Sequence, residues 1–348
     1  MINLNEKYHQ LAEQAHTANQ SHIFQNWTSL TDSQKMQLVQ QVESIDFDEI
    51  ASLAKKHIHS SESHYFRGEI EPVEATPLPK TPEQKRITEK MRHLGEAVLR
   101  EARVGIMLVA GGQGSRLGFE GPKGVFPITP VMQKSLFQLH AEKILALNKK
   151  YQTRLPFYIM TSKANNAATV AFFRKNRYFG LDVSDCFFFE QGMLPALDQN
   201  GKMILDAPGH LFMSPNGHGG VLDALSRSGA LQNMEARGVQ QLFYFQVDNV
   251  LTKIGDPVFL GYHLDAGAEM SSKVCAKRDA HEKVGVICKM DGKLGVVEYS
   301  DMSEVDKTAT TESGALRFNA GSIAIHVIEV AFIRRFASHD FELPWHIA

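Results

Sequence analysis

Four runs of uninterrupted apolar residues most constrain what this chain can fold into: "VGIMLVA" from Val104, "LPFYIMTS" from Leu155, "CFFFEQ" from Cys186 and "QLFYFQVDN" from Gln241. Apolarity that does not alternate suits strands buried on both faces. Amphipathic stretches lie between them. "LFQLHAEKILAL" follows Ser135, and Ser135 with Gln138 predicts a capping box. "GVLDALSRSGALQNMEA" reads as one helix stopped by Gly238 as a C-cap. Strand alternating with helix predicts an α/β fold with a mostly parallel sheet and helices on both faces. "KVGVICKMDGKLGVVEYS" differs. Its two alternating runs are joined by Asp291-Gly292, the signal of a hairpin.

Ahead of the first strand the pattern is helical. Residues 1 to about 58 are polar, with Thr31 and Gln34 spaced as a capping box and Leu38, Val39 and Val42 as an apolar stripe. "SSESHYFRGEIEPVEATPLPK" holds Pro72, Pro77 and Pro79 and reads as a linker. Thr81 as cap, Pro82 at the first position and Gln84 at the third then open a helix towards Arg103. The predicted division is a helical region over 1–100 and a sheet-bearing domain over 101–348. A net charge of −2 gives no reason to expect non-specific nucleic-acid binding. Cys186, Cys275 and Cys288 have neither metal spacing nor the look of a disulfide framework, which predicts reduced thiols in the cytoplasm. The opening "MINLNEKYHQ" is too polar for a signal peptide, and no apolar run reaches a membrane span.

The chemistry is announced by "LVAGGQGSRLGFEGPKG", Leu108 to Gly124, at the carboxyl end of the first apolar run. In open parallel sheets that end is where ligands bind. A dinucleotide fingerprint fails, because Gly112-Gln113-Gly114 is followed by Ser115, Arg116 and Leu117, with the next glycine displaced to Gly118. A P-loop fails too, because Lys123 precedes Gly124 rather than a hydroxyl residue. What remains is a run, Ala110 to Gly114, whose backbone N–H groups can face an anion or a base edge, with fixed cations at Arg116 and Lys123. That combination fits a nucleoside triphosphate with a leaving pyrophosphate. Asp248, after an apolar strand, is a carboxylate that can hold Mg²⁺ or order the nucleotide.

The loop resembles the signature loop of the UDP-sugar pyrophosphorylases, and most closely that of the branch acting on N-acetylglucosamine. "QSHIFQNW", "FYIMTS", "YFGL", "FFFEQGMLPALD", "SPNGHGG", "VDNVLTKIGDP", "VGVICKMDG", "VVEYS" and "FNAGSIAIH" follow in that branch's order. The resemblance implies a Rossmann-like, GT-A-like nucleotidyltransferase domain. It implies transfer of uridylyl from UTP to a hexosamine 1-phosphate, with a UDP-sugar and pyrophosphate as products, and Mg²⁺ or Mn²⁺ as the metal. By the same resemblance Ala110, Gly111 and Gly112 contact the nucleotide, Arg116 and Lys123 face its phosphates, Gln191 meets the uracil edge and Gly217 the base. Asp248 is the metal-side carboxylate. Gly285 meets the acyl group, and Glu298 and Asn319 meet the sugar side.

Three departures matter. "PNGHGG" has His218 where the N-acetylglucosamine branch has asparagine, whereas the UDP-glucose branch has a histidine there, so glucose 1-phosphate stays open as the sugar. Ser322 and Ile325 replace asparagines common in the branch. "ELPWHIA" stops inside a segment that continues in the family through further lysines and a C-terminal domain. The expectation is a fragment or a short form, and a protein that binds UDP-sugars with little turnover stays open with it.

Overall fold

The structure is a computed structural model and describes residues 4–58, 68–215 and 220–338. In chain order the helices are α1 (Leu4–Thr17), α2 (Asp32–Glu43), α3 (Phe47–His57), α4 (Pro82–Arg100), α5 (Leu136–Tyr151), α6 (Asn166–Lys175), α7 (Gly220–Arg227), α8 (Ala230–Ala236), α9 (Pro257–Asp265), α10 (Glu304–Thr308) and α11 (Val330–Ser338). The strands are β1 (Ile70–Pro72), β2 (Val104–Val109), β3 (Phe157–Thr161), β4 (Cys186–Glu190), β5 (Met193–Pro195), β6 (Leu205–Ala207), β7 (His210–Leu211), β8 (Met213–Pro215), β9 (Gln241–Gln246), β10 (Met270–Ala276), β11 (Val286–Met290), β12 (Lys293–Val297) and β13 (Ala320–Glu329).

Among the described residues one compact unit takes 4–58 and 192–215, and the other takes 68–191 and 220–338. In the first, helices α1 to α3 share a core with the small hairpins. Leu11, Ile23, Leu38 and Val42 pack with Met203 and Leu211, and Tyr8 stacks on Trp27 at 4.2 Å between ring centroids. Two buried amides imitate a neighbouring strand. Gln20 donates to Gly201 O and accepts from Met203 N, and Gln41 does the same with Leu211 O and N.

The second unit is built on a nine-stranded sheet ordered β1-β11-β13-β9-β2-β3-β4, with β10 also on β13 and β12 on β11. The strands predicted from the apolar runs form its parallel centre, β9-β2-β3-β4. Alternate residues of one strand feed two cores. Ile106 and Leu108 enter a cluster with Phe137 and Ile144 of α5 and Leu260 of α9, while Met107 enters another with Leu225, Met234 and Ile333. Helices therefore cover both faces, as the sequence predicts. Helices α4 and α9 cross almost backbone to backbone. A Cβ on Gly95 would lie 1.9 Å from Pro257 O, and one on Gly261 would lie 1.8 Å from Met91 O.

Local signals fold as read. The Thr31–Gln34 and Thr81–Gln84 capping boxes form. Asp291 (φ 48°) and Gly292 (φ 77°) make the left-handed pair that joins β11 to β12. Gly238 (φ 72°) ends α8, with Val239 N reaching Met234 O. Three expectations change. The stretch 220–236 is two helices, because Gly229 takes φ 81° between them. Ser135 accepts from Gln138 N, but the Gln138 amide turns to Glu142 instead of closing the box. The expected linker contains β1, an edge strand whose Ile70, Glu71 and Pro72 pair with Met290, Lys289 and Cys288. An edge is where a strand tolerates proline. No helix among the described residues is long and apolar enough to cross a membrane.

Candidate active site

The glycine loop leaves the end of β2 and comes back on itself. Gly114 N donates to Gly121 O, Lys123 N donates to Gly112 O, and Gln113 bridges to Pro122. Gly118 takes φ 64° and Gly121 φ 116°, left-handed values that a side chain would strain. This lacing returns Lys123 to the root of the loop, where its Cε and Nζ lie 3.6 and 3.8 Å from the position a Cβ on Gly112 would take. Lys123 Nζ then pairs with Asp248 Oδ2 at 3.0 Å. Asp248 is two residues past β9, and its carboxylate is half exposed. Gln191 follows β4. Its amide covers Gly111 so closely that a Cβ there would meet it at 2.8 Å. Ala110 is buried and donates to Met160 O. Ala110, Gly111, Gly112, Lys123, Gln191 and Asp248 thus gather at the carboxyl ends of β2, β4 and β9. Arg116 sits exposed on the outer turn Ser115–Leu117 and has no ion pair among the described residues.

A second group forms where β13 begins. Because β13 runs antiparallel to β9, its start lies at the same end of the sheet as Asp248. Val286 of β11 pairs with both Gly321 and Val297, which sets Gly285 beside Glu298. A Cβ on Gly285 would meet Val296 Cγ1 at 2.8 Å and the Glu298 carboxylate at 3.3 Å, so glycine is needed there for packing alone. Gly285 O accepts from Ser322 N. Asn319 Oδ1 accepts from Lys277 N at 2.6 Å, and Lys277 is itself buried with Nζ on Ala280 O. Gly217 and His218 lie outside the described residues.

Two supports were not singled out from the sequence. Asn165 is buried between β3 and α6. Its Nδ2 donates to Ala110 O and Gly112 O while its Oδ1 accepts from Ser162 N, so it holds the glycine loop from below. An asparagine just before a helix that follows a strand was the available signal. His140, on α5, donates from Nε2 to Val247 O at 2.8 Å. Burial pushes its imidazole down to about 4 from 6.5, and its Nδ1 has no partner among the described residues.

The sign of that shift fixes a pH dependence. The unfolded chain binds the proton more readily than the folded one. Stability is therefore full above about pH 6.5 and is lost as pH falls from there towards 4, by roughly 3 kcal/mol. Urea midpoints of the wild type and His140→Gln across pH 7.5 to 4 measure it, and the wild-type curve is expected to fall more steeply. Parallel curves contradict it.

No group of three or more His, Cys, Asp or Glu able to hold a metal occurs among the described residues. Asp248 alone still fits Mg²⁺, an ion that takes one or two carboxylates and completes its shell with phosphate oxygens and water.

Comparison with known proteins agrees with this geometry. The family model described as UTP–glucose-1-phosphate uridylyltransferase matches residues 33–347. The UDP-N-acetylglucosamine pyrophosphorylase of Saccharomyces cerevisiae is 36% identical over 343 residues, 95% of this chain and 72% of that protein. The UDP-N-acetylhexosamine pyrophosphorylase-like protein 1 of Xenopus tropicalis is 35% identical over 354 residues, 96% of this chain and 68% of that protein. The crystal structure of the uridine diphosphate N-acetylglucosamine pyrophosphorylase of Trypanosoma brucei superposes with a TM-score of 0.82 at 28% identity, covering 94% of this chain and 67% of that one. The glycine loop with its returning lysine, the strand-end carboxylate and a match over nearly the whole length have one explanation: the chain belongs to the UTP–glucose-1-phosphate uridylyltransferase family.

Proposed function

We propose that this chain transfers uridylyl from UTP to N-acetylglucosamine 1-phosphate, giving UDP-N-acetylglucosamine and pyrophosphate. The observation that carries the reading is the Lys123–Asp248 pair over Gly112, at the carboxyl ends of the parallel strands. The names of the relatives support the sugar.

The chemistry asks for position and charge rather than covalent help. An oxygen of the sugar phosphate forms a bond to the α-phosphorus of UTP. The bond from that phosphorus to the β-bridging oxygen breaks, and pyrophosphate leaves with the electron pair. The attacking phosphate is already anionic, so no side chain need take a proton. The amide of Gln191 offers both a donor and an acceptor to the uracil edge, with the peptides of Ala110 to Gly112 beside it. Lys123 neutralises phosphate charge from within the loop, and Arg116 is free to turn towards the same oxygens. Asp248 would hold Mg²⁺ or Mn²⁺, whose chemistry when bound is to neutralise phosphate charge. Glu298, Asn319, the peptide of Gly285 and His218 are assigned to the sugar. The proposed setting is the cytoplasm, supported by the free thiols of Cys186, Cys275 and Cys288.

Product analysis with UTP and a panel of N-acetylglucosamine, N-acetylgalactosamine, glucose and galactose 1-phosphates tests the reading. The expected result is UDP-N-acetylglucosamine as the main product, loss of pyrophosphate release in EDTA, and recovery with Mg²⁺ or Mn²⁺. A tenfold preference for glucose 1-phosphate overturns the sugar. Full activity in EDTA overturns the metal, and no pyrophosphate with any sugar overturns the enzyme.

A further inference from the structure

Helix α5 holds the chain segments next to both charged partners of the site from one rigid element. Its first turn holds the exit of the glycine loop. Leu136 N donates to Phe126 O, and Gly124 lies against the Phe137 ring so tightly that a Cβ would come within 2.2 Å of it. Lys123 is the residue before that glycine. One and two turns further along, the helix holds the segment that carries Asp248. His140 donates to Val247 O, and Lys143 Nζ donates to Val250 O and to Thr252 O.

Two features make these contacts more than packing. His140 is fully buried, yet among the described residues only one of its ring nitrogens finds a partner, at the carbonyl immediately before Asp248. A hydrophobic residue would fill that space against Phe245 without leaving a buried nitrogen unpaired. Lys143 is half-buried and spends its ammonium on carbonyls, with no carboxylate partner among the described residues. After Val247 N donates to Val109 O, the segment that follows β9 leaves the sheet. Its carbonyls at 247, 250 and 252 are anchored across the chain by one helix.

We propose that His140 and Lys143 are positioning residues for uridylyl transfer: from α5 they fix the backbone around Asp248 against the Lys123 turn, so that this helix sets the spacing of the two charges. The proposal rests on the function proposed above. Neither residue touches the reacting phosphates, and both act through the backbone on either side of Asp248. A misplacement of about 1 Å at a reacting centre costs on the order of 10²-fold in rate, so loosening this segment should act on kcat and not on uridine binding.

The test compares His140→Phe, which keeps an aromatic ring but has no donor, with His140→Gln, which keeps an N–H at similar reach. Lys143→Met serves as a second, less buried variant. Hydrogen exchange followed by mass spectrometry reads the segment around 246–254, steady-state kinetics separates kcat from KM for UTP, and electron paramagnetic resonance titrates Mn²⁺ with UTP present. For His140→Phe and Lys143→Met we expect faster exchange in that segment, kcat lower by about tenfold or more, KM for UTP within threefold, and weaker Mn²⁺ binding. His140→Gln should return all of these to within threefold of the wild type. Unchanged exchange in both deleting variants overturns the clamp. Faster exchange with unchanged kcat overturns its positioning role, and so does failure of His140→Gln to rescue while it folds normally. If the wild type releases no pyrophosphate, the proposed function falls, while exchange and Mn²⁺ binding still decide whether α5 holds Asp248.

Discussion

Lys123→Ala and Asp248→Asn are each expected to slow uridylyl transfer by about 10²–10³-fold, the usual loss when one group stabilising developing charge is removed, but to move nucleotide affinity in opposite directions. In the structure the two side chains neutralise each other at 3.0 Å. A triphosphate arriving at the loop competes with Asp248 for the Lys123 ammonium, and it meets the Asp248 carboxylate as a like charge. Removing the lysine leaves phosphate facing an unopposed carboxylate, so metal-free UTP binds more weakly. Removing the negative charge frees the lysine, so metal-free UTP binds more tightly even though the reaction is slower. Calorimetry in EDTA gives the affinities and pyrophosphate release in Mg²⁺ gives the rates. Rate losses below threefold in both variants would mean that the loop is not at the reacting phosphates.

The second large effect concerns folding. Gly95→Ala and Gly261→Ala each place a methyl within 2 Å of a backbone carbonyl oxygen on the facing helix. Backbone cannot rotate aside, so α4 and α9 must part by more than an ångström. Alanine favours the helix itself by up to about 1 kcal/mol. Overpacking against rigid backbone costs more than that, for an expected net loss of about 3 kcal/mol and a fall in Tm on the order of 5–10 °C. Once one methyl has spread the helices the other finds room, so the double variant should lose clearly less than the sum of the singles. Thermal and urea unfolding of the three proteins decide it, and additive losses would show that each glycine acts alone.

These two glycines also mark the limit of what a single sequence reveals. Signals that act over three or four residues were legible. The Thr31 and Thr81 caps, the Asp291-Gly292 turn and the Gly238 stop each satisfy a local backbone need. The central strands were legible because burial on both faces leaves no alternation. Gly95 looks like a mild defect in a helix until Pro257 is brought against it. β1 was hidden because Pro72 reads as a breaker and only its pairing with Cys288 makes it a strand. At the site, the loop and Asp248 stood out by residue type and by position after an apolar run. Asn165, His140 and Lys143 did not, since their work is to bind carbonyls far away in the chain, and a carbonyl has no signature in a sequence.

Strand order carries a consequence for how the protein is made. β2 pairs with β9, Val104 opposite Gln241, and β9 is also the link from β2 to β13. As the chain leaves a ribosome, β2 and β3 can join as soon as both are out, but one edge of β2 then stays bare until Gln246 has followed. At about 5–20 residues per second that wait lasts on the order of ten seconds. During it a strand pair that the finished fold buries offers an unpaired edge to any neighbouring nascent chain. The N-terminal helices wait as well, because Met203 and Leu211 of their core arrive from the far side of β4. Production of this protein should accordingly be governed by the capture of a nascent edge, by chaperones or by slowed translation, more than by the stability of the finished fold.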